Sequence, residues 1–145
     1  MQIFKIMNIR NYKDEDYSQL KHLLEISGIY NKYIDKKEIF KRKIENYPES
    51  IIIAEEDNNI IGCIFLIDDS WNPFIMHLAV HPDYRNKGLG SILCQIAEQR
   101  LRAKGNIVAS CLVGENNSKN LDFLAKKGMK VKRSIYKVVF LSKDL

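Results

Sequence analysis

The spacing of hydrophobic residues predicts one strand and two amphipathic helices in the first third of the chain. Residues 3–10 alternate loosely between apolar and polar side chains and are predicted to form the first strand. In residues 14–27 the apolar side chains recur every three or four positions, which predicts a helix that Asp14 caps. The second helix starts with Asp35 and, three residues later, Glu38, a pattern similar to a capping box.

The middle of the chain has the pattern of an antiparallel meander. Residues 50–55, 60–67 and 72–80 are rich in β-branched and aromatic side chains. Short polar stretches at 57–59 and 68–70 separate them and are typical of turns. We therefore predict two successive hairpins.

After this meander, helices and strands alternate. Apolar residues at helical spacing predict a helix from residue 89 to near Gly105, followed by a buried strand over 107–113. A further helix is predicted over 118–127, and one or two strands over 131–141. The order is β-α-α-β-β-β-α-β-α-β, with an optional final strand. The strand–helix–strand crossover makes the fourth and fifth strands parallel. This is an α/β fold with a mixed sheet, which we expect to form one domain over residues 1–145.

The turn before the long helix has the chemistry of a phosphate site. Gly88 and Gly90 leave room for a ligand to approach the backbone, and Arg85 and Lys87 add positive charge. A helix start also presents unpaired N–H groups and the positive end of the helix dipole. We infer a phosphate or pyrophosphate site, although the same glycines would also suit a plain strand–turn–helix connection.

The pattern Arg85-x-x-Gly88-x-Gly90 resembles the acyl-CoA loop of the GCN5-related N-acetyltransferase (GNAT) family, and the strand end before it is similar too. The resemblance implies the acyltransferase-like fold, acetyl-CoA as cosubstrate and no metal. It assigns cofactor contacts to ten residues of the strand end and the turn, namely Leu78, Ala79, Val80, Arg85, Asn86, Lys87, Gly88, Leu89, Gly90 and Ser91. The family's usual arrangement has the N–H of Val80 polarise the thioester oxygen.

A second stretch, residues 114–129, is similar to a later motif of that family, in which an Asn precedes a helix that ends at Gly-Phe. Asn117 and Gly128 match the Asn and the Gly, whereas Met129 replaces the Phe. The resemblance implies that Asn117 bonds the pantetheine arm of the cofactor. The side chain of Asn117 could also cap the helix, and the two roles are compatible.

The acid and base that many family members carry are missing here. Leu124 stands where the family often has a proton-donating Tyr, and the base positions match Phe74, Met76 and Leu112. His77 is either a base or a hydrogen-bonded sheet histidine, and strand alternation predicts that it lies on the opposite face from Met76. The catalytic residues are therefore left unassigned, with water or Tyr136 as other proton acceptors.

Composition restricts the class of protein only broadly. The chain of 145 residues has an apolar fraction of 46%, which suits one globular domain, and it lacks any run of about 18 apolar residues that could span a membrane. The amino terminus does not resemble a secretory signal, so we expect a cytoplasmic protein. Cys63, Cys94 and Cys111 fit no metal-binding spacing and are expected to be buried thiols.

These features favour an N-acetyltransferase in which a primary amine, on a small molecule or a peptide, attacks acetyl-CoA directly in a ternary complex. One alternative is a non-catalytic acyl-CoA-binding module of the same fold, which the missing Tyr supports. Another is an acetyltransferase for an RNA-linked amine, supported only by the net charge of +5. No RNA-binding signature is present, so nucleic acid is disfavoured as a partner. The sequence leaves a homodimer open.

Overall fold

The computed structural model describes residues 7–113 and 117–130. They fall into two compact units, one ending at Cys111 and the other beginning at Leu112. The expectation of one domain stays a prediction, and the strands predicted over 131–141, with Tyr136, lie outside the described residues. The elements are, in chain order, β1 (Met7–Asn11), α1 (Tyr17–Ile26), α2 (Lys37–Asn46), β2 (Ile51–Glu56), β3 (Asn59–Ile67), β4 (Phe74–Val80), α3 (Leu89–Ala103) and α4 (Ser118–Lys126).

The four strands form one antiparallel sheet in the order β1-β2-β3-β4, so both predicted hairpins are confirmed. The β2–β3 connection is tight because Asp57 and Asn58 both have positive φ, at 49° and 63°. Two successive residues of this kind form the type I′ turn, whose twist matches that of the strands it joins.

Helices cover both faces of this sheet. On one face, α1 and α2 bury Leu20, Leu24 and Phe40 against strand residues such as Ile53 and Phe65, and we call this set the α1–α2 core. A Cβ placed on Gly62 of β3 would lie 3.1 Å from Leu93 and 3.2 Å from Leu89, both in α3. The absence of a side chain at Gly62 therefore lets α3 pack closely on the other face.

Strand β4 contains a bulge, which overturns one prediction. Cys63 pairs with Ala79, and Phe65 pairs with Met76, so two residues of β4 stand opposite Ile64 alone. One of those two, His77, has a φ of +50°. The extra residue breaks the alternation, and the prediction that His77 lies on the opposite face from Met76 is wrong. Met76 packs against the α1–α2 core, and the ring centroid of His77 lies 4.9 Å from that of Phe65 in the same core.

Two predicted helix caps are also wrong. Asp14 lies in a short 3-10 helix, Asp14–Asp16, and α1 begins only at Tyr17. The residue before α2 is Lys36, in extended conformation and without a side-chain capping bond. The carboxylate of Asp35 instead bonds the His77 ring of β4 and the N–H of Asn31 in the same loop, so it is not available to cap α2.

An ionic cluster fixes the start of α1 to the sheet. Arg10 of β1 donates to both oxygens of Asp16, at 2.7 and 2.9 Å, and to Glu55 of β2 at 2.7 Å. Burial raises the pKa of Asp16, but hydrogen bonds from Arg10 and the Lys13 N–H outweigh it, so the pKa lies below its ordinary value. The hydrogen bond from Arg10 also lowers the pKa of Glu55. Both carboxylates are thus stabilised in their charged form.

The segment after α3 departs from the prediction. Helix α3 ends where expected, and Gly105 follows it with a φ of +90°. Over 107–113, however, the predicted buried strand is wrong, since Ile107 is 97% exposed. Among the described residues, this segment pairs through one parallel bridge between Ser110 and Phe74, at the start of β4. The bridge lies before the bulge that bends β4, which gives a physical reason for pairing at that end.

The second unit contains α4, which begins and ends as predicted. Asn117 precedes it, and Gly128 follows with a φ of +84°. None of the helices in the described part of the chain has the length and apolar character needed to cross a membrane.

Candidate active site

The turn between β4 and α3 is built from local irregularities of the backbone. Pro82 begins a one-turn 3-10 helix that ends at Tyr84, and the His81 side chain accepts a bond from the Asp83 N–H at 3.2 Å. Asn86 then has a φ of +60° and Gly88 a φ of +87°. These conformations turn the chain from the strand direction into α3 within a few residues.

The start of α3 presents free backbone donors. The first hydrogen bond of α3 is donated by the N–H of Ile92 to the carbonyl of Gly88, at 3.1 Å. The N–H groups of Leu89, Gly90 and Ser91 come before this bond, so they have no partner within the helix. No side chain of the described residues caps this end, and no acidic residue lies in the first turn of α3. A Cβ on Gly88 would meet no atom within 4 Å, so open space lies against the turn. Such an arrangement suits an anion.

Two cations lie on the turn itself. The Nε of Arg85 donates to the carbonyl of Val80 at 2.8 Å, which fixes the guanidinium to the strand end. The Nζ of Lys87 donates to the carbonyl of Asp83 at 3.2 Å and lies 5.7 Å from the ring centroid of Tyr84. A bond to a backbone carbonyl does not neutralise a cation, so both side chains keep a full positive charge on this turn.

The end of β4 offers one donor at the sheet edge. The N–H of His81 donates to Ile61 of β3 at 2.8 Å. Successive N–H groups of a strand point in opposite directions, so the N–H of Val80 points away from β3. It therefore lies on the edge of β4 where Ser110 pairs further back. Ala79 is buried in the α1–α2 core.

In the second unit, Asn117 caps α4. Its side-chain oxygen accepts from the N–H of Asn120 at 3.3 Å, so the capping role is confirmed. Its predicted bond to pantetheine stays a prediction. Leu124 is half-buried on α4, and its carbonyl accepts from the N–H groups of Lys127 and Met129 at the helix end.

His77 of β4, singled out in the sequence as a base or a hydrogen-bonded sheet histidine, has a partner that sequence reasoning missed. The Nε2 of His77 is 3.0 Å from both carboxylate oxygens of Asp35, which belongs to the loop between α1 and α2. The same carboxylate accepts from the N–H of Asn31 at 2.8 Å. The side chain of Asp35 is 3% exposed and that of His77 16%. His77 is the one ionisable residue in the sequence of β4. A polar side chain in an apolar strand indicates that a partner exists, but the sequence does not identify that partner.

Other ionisable groups near this pair stay protonated at neutral pH. Burial, with a hydrogen bond involving Tyr30, raises the pKa of Tyr17 to about 12. The Tyr17 hydroxyl donates to the carbonyl of Asp35 at 2.8 Å. Burial likewise raises the pKa of the Cys63 thiol to about 12. Neither group is a base or nucleophile under these conditions.

The cysteines and acidic residues form no further reactive cluster in the described residues. The three cysteines, all within the described residues, form no disulfide; Cys63 and Cys94 are buried and Cys111 is half-buried. Residues 7–113 and 117–130 contain no group of three or more His, Cys, Asp or Glu side chains arranged to hold a metal ion.

Known proteins share this sequence pattern and this fold. The model of the acetyltransferase (GNAT) family matches residues 11–129. An acetyltransferase of Yersinia pestis (strain Pestoides F) is 29% identical over 111 residues, which cover 77% of this chain and 79% of that protein. An acetyltransferase of Pectobacterium atrosepticum is 27% identical over the same length and the same shares of the two chains.

Solved structures agree in fold. The PaiA N-acetyltransferase of Thermoplasma acidophilum, in complex with coenzyme A, superposes with a TM-score of 0.77 at 24% identity, covering 90% of this chain and 94% of that one. Ard1 of Thermoplasma volcanium gives a TM-score of 0.76 at 19% identity, covering 88% and 84% of the two chains.

Proposed function

Because this chain belongs to the GNAT family of acetyltransferases, we propose that it moves an acetyl group from acetyl-CoA to a primary amine by direct attack in a ternary complex. The observation that carries the proposal is the start of α3, where free amides, two cations and open space at Gly88 come together. The reaction type is taken from the family, and the proposed acceptor is an amine on a small molecule or a peptide.

In this proposal the turn holds the pyrophosphate of the cosubstrate. The amides of Leu89, Gly90 and Ser91 are the hydrogen-bond donors, and Arg85 and Lys87 supply charge. Charge-assisted bonds of this kind are worth about 1.5–3 kcal/mol each, so two or three contribute roughly 3–9 kcal/mol, compared with the roughly 8 kcal/mol of a micromolar affinity. The remaining turn residue, Asn86, contributes by its positive φ, which orients the loop.

The acyl end is proposed to lie along β4. The backbone of β4 at Leu78, Ala79 and Val80 lines the pantetheine arm. The Val80 N–H, which points away from β3, then polarises the thioester carbonyl. A single donor of this type typically contributes about 2.7–4 kcal/mol to transition-state stabilisation.

The leaving group needs little assistance from the protein. A thiol has an ordinary pKa of about 8.5, so a thiolate departs at neutral pH with a modest barrier. Leu124 therefore reduces the rate without abolishing the reaction, and correct placement of the amine supplies much of the acceleration.

Release of free CoA thiol tests the proposal. Wild-type protein is incubated with acetyl-CoA and, in turn, polyamines, amino acids, aminoglycosides, peptide amino termini and lysine peptides. We expect amine-dependent thiol release with at least one class. Calorimetry should also show that CoA binds clearly more tightly than dephosphorylated pantetheine. Equal affinities would refute the pyrophosphate assignment.

The missing Tyr at position 124 favours one second candidate, a non-catalytic acyl-CoA-binding module of the same fold. Tight binding of CoA without thiol release for any amine in the panel would establish that function instead.

A further inference from the structure

We propose that His77 is the base that takes the proton of the attacking amine, and that Asp35 positions its imidazole. This inference rests on the proposed acetyl transfer, for which the sequence assigns no base.

The geometry of the pair sets the tautomer. A neutral imidazole has one N–H donor and one acceptor nitrogen. Because Nε2 lies 3.0 Å from both oxygens of Asp35, Nε2 carries the proton and Nδ1 holds the lone pair. No hydrogen bond engages Nδ1 within residues 7–113 and 117–130. The arrangement matches the way a buried carboxylate orients a histidine base in hydrolases.

The carboxylate itself is held firmly. Asn31 donates its N–H to Asp35 at 2.8 Å, and Tyr17 donates to the carbonyl of the same residue at 2.8 Å. The side chain is 3% exposed, so water does not compete for its oxygens. Asp35 therefore fixes the ring from a rigid loop, as a positioning residue must.

The backbone at His77 is strained in a way that serves this placement. Its φ of +50° lies in the left-handed region, which is unfavourable for a residue that has a Cβ. A bulge re-aims a side chain, and here it directs the ring to the α1–α2 core, where Asp35 lies. A buried pair is itself weak support for stability, since apolar replacements are often neutral. Strain of this kind without a stability gain points to function.

His77 also lies near the expected site of reaction. It precedes Val80 by three residues in the same strand, so the two backbones are on the order of 10 Å apart. The side chain of His77 can shorten this separation. A base works within hydrogen-bond reach or through one water. The other titratable groups around it are Asp35, the Tyr17 hydroxyl on the Asp35 carbonyl and the Cys63 thiol on the His77 carbonyl, and the last two are protonated. His77 is thus the available proton acceptor on this face.

In the proposed step, the amine nitrogen forms a bond to the carbonyl carbon while its proton passes to Nδ1 of His77. The C–S bond breaks, and its electron pair leaves on the sulfur of CoA. The proton on His77 then returns through water to the thiolate, which restores the neutral ring.

Chemical rescue tests the base. The variant His77→Gly accepts a φ of +50° without strain and leaves a cavity the size of the ring. We expect kcat to fall by about 10²–10⁴-fold, with the Kd of CoA unchanged, and added imidazole to restore part of the loss. His77→Gln keeps a donor toward Asp35 but has no base, so it should be as slow as His77→Gly and should not respond to imidazole.

The positioning role has its own readout. Asp35→Asn should lower kcat with little change in the KM of acetyl-CoA. In the His77→Gly background, Asp35→Asn should lower kcat no further, because Asp35 acts through the ring. Additive losses would assign Asp35 a structural role and overturn its coupling to His77.

Three results would overturn the inference, and they separate it from the proposed function. Wild-type-like kcat in His77→Gly refutes the base alone. Loss of kcat that imidazole does not relieve, in a variant that still melts cooperatively and binds CoA, also refutes it. Absence of thiol release by wild-type protein with every amine removes the proposed function, and the base with it.

Discussion

The two glycines that flank α3 allow a matched test of the cofactor turn. Gly88 precedes the helix with a φ of +87°, and Gly105 follows it with a φ of +90°. A Cβ at either position meets no atom within 4 Å. Gly88→Ala and Gly105→Ala therefore impose the same backbone strain at opposite ends of one helix, and only the first changes the proposed pyrophosphate site.

The strain sets the expected loss of stability. An alanine in the left-handed region costs about 1–2 kcal/mol relative to glycine. For a chain of this length, that corresponds to a fall in Tm of roughly 3–6 °C. We expect both variants to lose this amount and to remain folded at 25 °C, which thermal melts followed by circular dichroism would measure.

The affinities for CoA should separate the two variants. In Gly88→Ala the new methyl group, or relaxation of the turn away from positive φ, displaces at least one backbone donor from the phosphate. Losing one charge-assisted bond costs about 1.5–3 kcal/mol, which raises the Kd of CoA roughly 10- to 150-fold. Gly105→Ala should bind CoA like wild type in the same calorimetric titration.

Two outcomes would refute this reasoning. Unchanged affinity in folded Gly88→Ala would mean that the glycines only shape a strand–turn–helix connection. Equal losses of affinity in both variants would mean that binding follows the general stability of α3, so that the turn has no special part in it.

Three further predictions concern the ionic cluster, a turn and the leaving group. Arg10→Met should lower the free energy of unfolding by about 1–3 kcal/mol at pH 7. Asp16 and Glu55 have lowered pKa values, so their stabilisation is present above about pH 4 and is lost as pH falls through the folded values; denaturation at pH 7 and pH 3 should therefore show the deficit shrinking. Asn58→Gly, at a φ of +63° in the type I′ turn, should raise stability by a few tenths of a kcal/mol to about 1, measured by urea unfolding. Leu124→Tyr should raise kcat or leave it unchanged with little change in CoA affinity, whereas a large loss of affinity would place Leu124 in the core.

Local sequence signals predicted the elements that depend on local interactions. The hairpin at 57–59, the helix ending at Gly105 and the helix capped by Asn117 each follow from neighbouring residues, and each is confirmed. The glycine turn could be predicted for the same reason, because its backbone amides, charged side chains and glycines lie within seven residues of one another. Its ligand contacts stay predictions.

The errors arose where tertiary contacts override local preference. Asp35 and Glu38 have the spacing of a capping box, yet the carboxylate of Asp35 bonds His77, which lies 42 residues away. Alternation placed His77 on the wrong face because one additional residue in β4 shifts the register against β3. The apolar run at 107–113 predicted burial, but Ile107 is exposed, and within residues 7–113 and 117–130 the run pairs with the sheet through Ser110. Neither a long-range partner nor a bulge leaves a periodic signal in one sequence.

The bulge in β4 connects the two halves of the proposed site. Before it, β4 holds Ser110 through a parallel bridge; after it, the Val80 N–H points away from β3 at an edge where a pantetheine arm can bind. At the bulge itself, the additional residue brings His77 to the side of the sheet where Asp35 lies. A regular strand would send alternate side chains to opposite faces and would tend to pair along its whole length with a parallel neighbour. In the proposed mechanism, one inserted residue therefore gives both the strand edge that takes the cosubstrate and the oriented imidazole that takes the proton of the amine.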